Sequence, residues 1–217
     1  MVVQSRAAAT RQRILDAAVS LFCDHGYGHT GLNDIVDRAG VSMGSFYYHF
    51  GSKDALAAEI IAQGWPKAYQ IVVATLGAPD AGLANVIDMT FAITDLLQRD
   101  RSVWLANHLN QAFGQLSEDG MEGFRSRAES FITGIAGCVR PGEVRDDITP
   151  TEAGDAVWMA VHGCHLLSDA LRDDALQRLV ASWRLLVRAM VPAGAQPHFH
   201  DVVQRKADHY AAARSAG

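Results

Sequence analysis

Residues 30–53 read TGLNDIVDRAGVSMGSFYYHFGSK, and the order of small, polar and apolar side chains in this stretch decides the fold. Leu32, Ile35 and Val36 recur at helical spacing, Thr30 stands ahead of them as a side-chain oxygen in N-cap position, and Ala39-Gly40 closes the segment. Ser42 offers a second cap, for a very short helix from Met43 to His49 that breaks at Phe50-Gly51. Two short helices joined by a glycine-containing turn have helix-turn-helix geometry. Ile35, Val36, Val41 and Phe46 can pack the pair together, leaving the other side of the second helix free to enter a major groove, with Gly44 and Ser45 small enough for close approach.

Upstream, Ile14, Leu15, Ala18, Leu21 and Phe22 give one apolar face to a helix from Ala8 to His25, with Gly26 placed to stop it. Downstream, Ser52 can cap a fourth helix carrying Leu56, Ile60 and Ile61, expected to end near Gly64, with Pro66 opening the next. Beyond the Gly77-Ala78-Pro79-Asp80 turn, helical patterns run over about 81–99, 101–116, 120–139, 150–171, 173–191 and 198–214, and no strand alternation persists. The expected fold class is all-α, with a helix-turn-helix DNA-binding domain over 1–54 and a larger helical ligand-binding and dimerisation domain over 55–217.

The chain has 217 residues, 49% of them hydrophobic and 20% charged, enough apolar material for a substantial core. Its net charge of -5 excludes binding to nucleic acid by a generally basic surface, so any DNA contact is local. Arg6, Arg11 and Arg13 form a short basic arm at the start. Cys23, Cys138 and Cys164 are too few and too widely spaced for a disulfide framework or a zinc ribbon, which suits a reducing cytoplasm. Neither a signal-peptide pattern nor a run of roughly 18 apolar residues is present, so the expected location is cytoplasmic, without membrane insertion.

Phe22, Gly26-Tyr27, Thr30, Asp34-Ile35-Val36, Ala39-Gly40-Val41-Ser42, Gly44, Phe46-Tyr47-Tyr48-His49-Phe50 and Lys53 together resemble the signature of the TetR family of transcriptional repressors. The resemblance implies that Thr30, Tyr47, His49 and Lys53 contact phosphates, while Ser42, Met43, Gly44 and Ser45 face base edges. Tyr48 joins this DNA-binding set, with a core position as its alternative. Phosphate contacts set register and base contacts specify sequence. Met43 would read apolar features such as a thymine methyl.

A weaker resemblance, to the γ-butyrolactone autoregulator receptors within that family, rests on Val144-Arg145-Asp146-Asp147-Ile148, on the Gly163-containing helix after Pro150, and on the segment from Leu179 to Pro192. A tryptophan near Arg127, which such receptors use against the lactone ring, is missing.

The resemblance implies a ligand-responsive repressor that binds pseudo-palindromic operator DNA as a homodimer and is released by a small apolar molecule. The expected cavity draws on Trp65, Phe91, Trp104, Phe113, Phe131 and Trp158, with Asn107, His108 or His162 as polar anchors. The expected dimer interface uses Val157, Val161, Cys164 and Ser168 on one helix and Leu176, Val180, Trp183 and Val187 on another. His162, Cys164 and His165 invite a metal reading, but their spacing leaves the set incomplete; no metal and no cofactor is expected. No catalytic motif appears, so the competing reading is an all-α enzyme or binding protein acting on a small hydrophobic molecule.

Overall fold

A computed structural model of the chain describes residues 2–113 and 118–215, with side chains from Arg6 to Ala112 and from Met121 to Arg214. Every regular element among the described residues is helical. In order these are α1 (Val2–His25), α2 (Leu32–Ala39), α3 (Met43–His49), α4 (Lys53–Leu76), α5 (Leu83–Arg99), α6 (Arg101–Phe113), α7 (Glu118–Cys138), α8 (Pro150–Leu171), α9 (Ala175–Met190) and α10 (Gln196–Ser215). They form two compact units, one of residues 1–67 and 99–121, the other of residues 68–98 and 122–217.

The core of the first unit is built from Ile14, Leu15, Ala18, Leu21 and Phe22 of α1, Ile35, Val36 and Ala39 of α2, Phe46 and Phe50 around α3, and Leu56, Ala57 and Ile60 of α4. Leu105 and Leu109 of α6 complete it. The apolar spacing read in the sequence therefore marks the inward faces. Gly26, at φ 84°, and Gly40, at φ 62°, supply the left-handed residues that end α1 and α2.

Two local expectations change. Thr30 does not cap α2: its hydroxyl is buried and donates to the Gly26 carbonyl at 2.9 Å, while Gly31 takes the cap position and its N–H donates to the Asp34 carboxylate at 2.8 Å. A threonine is more useful here buried, tying the turn back onto the end of α1. Nor does α4 stop at Gly64. It runs on through Pro66 to Leu76, and the missing side chain at Gly64 serves packing instead. A Cβ there would lie 2.4 Å from that of Ala106 and 3.0 Å from the Ser102 carbonyl oxygen, so the glycine lets α6 pass against α4.

The second unit centres on Leu83, Val86, Ile87 and Phe91 of α5, Phe131 and Ile135 of α7, Val157 and Val161 of α8, and Leu179, Trp183 and Val187 of α9, closed by Phe199, Val202 and Val203 of α10. Trp183 is completely buried, and its indole N–H donates to the Thr90 hydroxyl at 2.8 Å. α8 begins at a capping box in which Thr149 and Glu152 satisfy each other's backbone N–H groups, with Pro150 in the first turn.

The helix faces expected to form a dimer interface are core instead. Val157, Val161, Cys164, Ser168, Leu176, Trp183 and Val187 are all buried within the chain, and Val180 packs against the same cluster. α8 is apolar nearly all round, and periodicity alone does not say which of two apolar faces turns inward. The face left outward carries Met159, Leu166, Leu167 and Leu171, with Leu185 exposed on α9.

Candidate nucleic-acid interface

α3 is held from beneath and from its start. Phe46 is fully buried and packs edge-on against Tyr47 and at 6.0 Å from Phe50, so the aromatic pair Phe46/Phe50 roots the helix in the core. The Ser42 hydroxyl accepts the Ser45 N–H at 3.1 Å and caps the first turn. With those positions committed, the remaining side chains turn outward. Tyr47 is 54% exposed and Tyr48 80%, which removes the core alternative for Tyr48. His49 is half-buried, with its ring edge-on to Tyr48 at 5.0 Å. Gly44 is exposed and Ser45 half-buried; a Cβ at Gly44 would have only the Ser42 hydroxyl within 4 Å, at 3.9 Å. Met43 is partly buried against the core, so only part of its side chain is left to read a base.

Lys53 starts α4 beside the turn that follows α1. Its ammonium donates to the carbonyl oxygens of Tyr27 and Thr30, each at 3.0 Å, and lies 4.3 Å above the Tyr27 ring. The Tyr27 hydroxyl in turn donates to Asp54, and burial together with that carboxylate raises the phenol's pKa. A lysine read as a phosphate contact thus also ties α4 to the start of the helix-turn-helix. Arg11, one of the three arginines of the basic arm, is held by Glu59 at 2.9 Å and lies 5.0 Å over the Phe50 ring, so its charge is partly neutralised by the protein.

The residues expected to line a ligand cavity fall in both units. In the first, Trp65 of α4 and Trp104, Asn107 and His108 of α6 are half-buried; the rings of Trp104 and His108 lie 4.0 Å apart. Phe113 ends α6, and its side chain lies outside the described residues. An open groove of about 430 Å³ in this unit, of mixed polar and apolar lining, is bounded by Gln12, Leu15, Val19, Ile60, Lys67 and Arg101 among others, none of them a residue expected at the cavity.

In the second unit Phe91 is buried and stacks on Tyr210, while Phe131, Trp158 and His162 come together: Phe131 lies 4.9 Å and His162 3.9 Å from the Trp158 ring. Phe124, not singled out from the sequence, completes this group at 6.3 Å from Trp158 and 5.9 Å from His162. Its position seven residues before Phe131, on the same face of α7, was the available signal. The metal reading fails on geometry. His165 bonds the Thr94 hydroxyl at 2.9 Å, Cys164 meets Ser182 at 3.2 Å, and no group of three or more His, Cys, Asp or Glu suited to a metal occurs among the described residues. No described helix is long and apolar enough to cross a membrane.

Comparison with known proteins agrees with this architecture. Residues 14–60 match the family of bacterial regulatory proteins, tetR family. The chain is 30% identical over 169 residues to the HTH-type transcriptional repressor KstR2 of Rhodococcus jostii, covering 72% of this chain and 80% of that protein. Identity to the A-factor receptor protein of Streptomyces griseus is 44% over 61 residues, 28% of this chain and only 22% of that protein. A crystal structure of a γ-butyrolactone receptor (ArpA-like protein) superposes with a TM-score of 0.76 at 25% identity, covering 94% of this chain and 99% of that one. Similarity to a named repressor over most of both chains, joined to a helix-turn-helix with an outward-facing α3, removes the enzyme reading: the chain belongs to the TetR family of DNA-binding transcriptional regulators.

Proposed function

We propose that the protein is a cytoplasmic repressor that binds a pseudo-palindromic operator as a homodimer through α3 and is released by a small, mainly apolar effector. The observation that carries the DNA half is the division of labour in α3, with Phe46 and Phe50 buried beneath it and Tyr47 and Tyr48 exposed on it. In this reading residues 1–54 are the DNA-binding part and 55–217 the sensing and pairing part. Tyr47, Tyr48, His49 and Lys53 contact phosphates, Ser42, Met43, Gly44 and Ser45 approach base edges, and half-sites lie roughly 34–36 Å apart. Thr30, with its hydroxyl turned inward, acts by shaping the turn. The second copy covers the outward apolar face of α8 and α9, where Leu166 and Leu185 are exposed and a Cβ at Gly163 would meet nothing within 4 Å.

The structural similarity to a γ-butyrolactone receptor, over 94% of this chain, supports the effector half and favours that subgroup. Selection of operators from a random duplex pool, followed by anisotropy titration, tests the reading. Tyr47→Phe is expected to weaken all selected operators alike, and Ser45→Ala to change preference among them. An effector that releases the operator must bind the DNA-bound protein more weakly by the same factor, because linkage is reciprocal. Equal effector affinity with and without operator refutes release by this route.

A further inference from the structure

Along α8 the inward-facing His165 and Cys164 find protein partners, whereas His162 and the Ser168 hydroxyl do not, and of these two only His162 sits in an aromatic box. The His165 imidazole bonds Thr94, and the Cys164 thiol meets Ser182. His162 lies one turn earlier with both ring nitrogens buried from solvent, and neither has a hydrogen-bond partner among the described residues. Its ring lies over Trp158 at 3.9 Å and meets Phe124 edge-on at 5.9 Å, and Phe131 packs on the Trp158 ring at 4.9 Å. A neutral imidazole carries one N–H and one lone pair, and leaving both unmade in an apolar setting is costly. A phenylalanine would fill this box without that cost, so packing does not account for a histidine here.

We propose that His162 is the hydrogen-bonding anchor for an uncharged hydroxyl- or carbonyl-bearing group on an otherwise apolar effector, which lies against the Trp158, Phe124 and Phe131 rings. This rests on the effector half of the function proposed above and names its ligand class. Either ring nitrogen can serve: the N–H donates to a carbonyl or hydroxyl oxygen, and the bare nitrogen accepts from a hydroxyl. The absence of charge follows from the surroundings. Burial alone pushes the imidazole pKa down to about 4, with no neighbouring charge contributing, so the ring is neutral and offers neither a cation to a carboxylate nor an anion to an amine. The guanidinium of Arg127, on the same helix as Phe124, is folded back over Gly123.

The experiment compares 1-decanol, decanoate and decylammonium, three head groups on one chain, by calorimetric titration of the full-length protein and of the variants His162→Phe and His162→Gln. Wild type is expected to bind 1-decanol at least tenfold more tightly than either ion. His162→Phe is expected to lose at least tenfold of that affinity while melting no lower than wild type, and His162→Gln, which restores a donor and an acceptor, to recover part of it. Undiminished binding of 1-decanol by a folded His162→Phe, binding of decanoate or decylammonium as tight as that of the alcohol, or binding of none of the three each overturns the proposal. Operator affinity of the same samples reports separately on the DNA-binding reading. Probes that bind through His162 without releasing operator would refute the effector role and leave the anchor standing.

Discussion

The ammonium of Lys53 lies 4.3 Å above the ring of Tyr27 while donating to that residue's own carbonyl oxygen at 3.0 Å, so one side chain holds both the ring and the backbone of the α1–α2 turn. A further bond goes to the Thr30 carbonyl. Lys53→Met, which keeps the stem and removes the charge, is expected to cost about 1–3 kcal/mol of stability by removing the ammonium from the Thr30 carbonyl and leaving the Tyr27 carbonyl only the long Thr30 N–H bond at 3.4 Å. It should also weaken every operator. The salt dependence separates the two roles of this lysine: a slope lower by about one unit marks a lost phosphate contact, and an unchanged slope marks loss of the turn's position alone. Thermal melting and anisotropy at several salt concentrations measure both.

Gly64 gives a second prediction, in the packing of α6 on α4. Because a Cβ at this position would lie 2.4 Å from that of Ala106, Gly64→Ala forces the helices apart although alanine is the better helix former. The expected outcome is a loss of about 1–3 kcal/mol, the usual cost of overpacking. Ala106→Gly introduced together with Gly64→Ala should restore part of it, since the clash is between these two positions. Urea unfolding of the single and double variants is the check.

These two sites also show what the sequence could and could not say. The helix-turn-helix was readable because its signals are local: Gly40 at a left-handed position, Ser42 as a cap and Phe46 on the inward face each act within a few residues. Gly64 and Thr30 escape such rules because their roles depend on partners that local spacing does not supply. For Gly64 the partner is Ala106, far along the chain in α6; for Thr30 a cap and a buried tie look alike until the turn is folded. The ring cluster around His162 was half legible for a related reason. Spacing groups Trp158 with His162, but it does not say that Phe124 and Phe131 arrive from α7 to box them.

The same ambiguity changes how pairing between copies should be tested. Trp183→Glu or Val161→Glu would place a charge in the interior of the second unit and unfold it, so neither reports on a dimer. Leu185 is 60% exposed and Leu166 58%, and glutamate at either leaves the fold of one chain intact. Leu166→Glu and Leu185→Glu are each expected to give a folded monomer in light scattering and to lower operator affinity by an order of magnitude or more, because a monomer grips one half-site. Trp183→Phe, by contrast, should leave the assembly unchanged and cost about 1–3 kcal/mol through the lost bond to Thr90 and the space left behind.

His162 makes the stability of the protein depend on pH over a definite window. Its folded-state pKa is lowered from 6.5 to about 4 by burial. As pH falls below about 6.5 the unfolded chain takes up a proton that the folded chain refuses until about pH 4, so the unfolded state binds more protons and stability falls with pH between these limits. Above about 6.5 both states are neutral and the group contributes no pH dependence. At about pH 4.5 the loss attributable to this residue is about 2 kcal/mol. His162→Phe removes it, so urea midpoints of wild type and variant, measured at about pH 7 and about pH 4.5, should show wild type losing about that much more than the variant. Carboxylates elsewhere titrate in both proteins and cancel in the comparison. Parallel losses would mean that the ring is protonated as easily as in the unfolded chain, and hence that water or a polar partner reaches it.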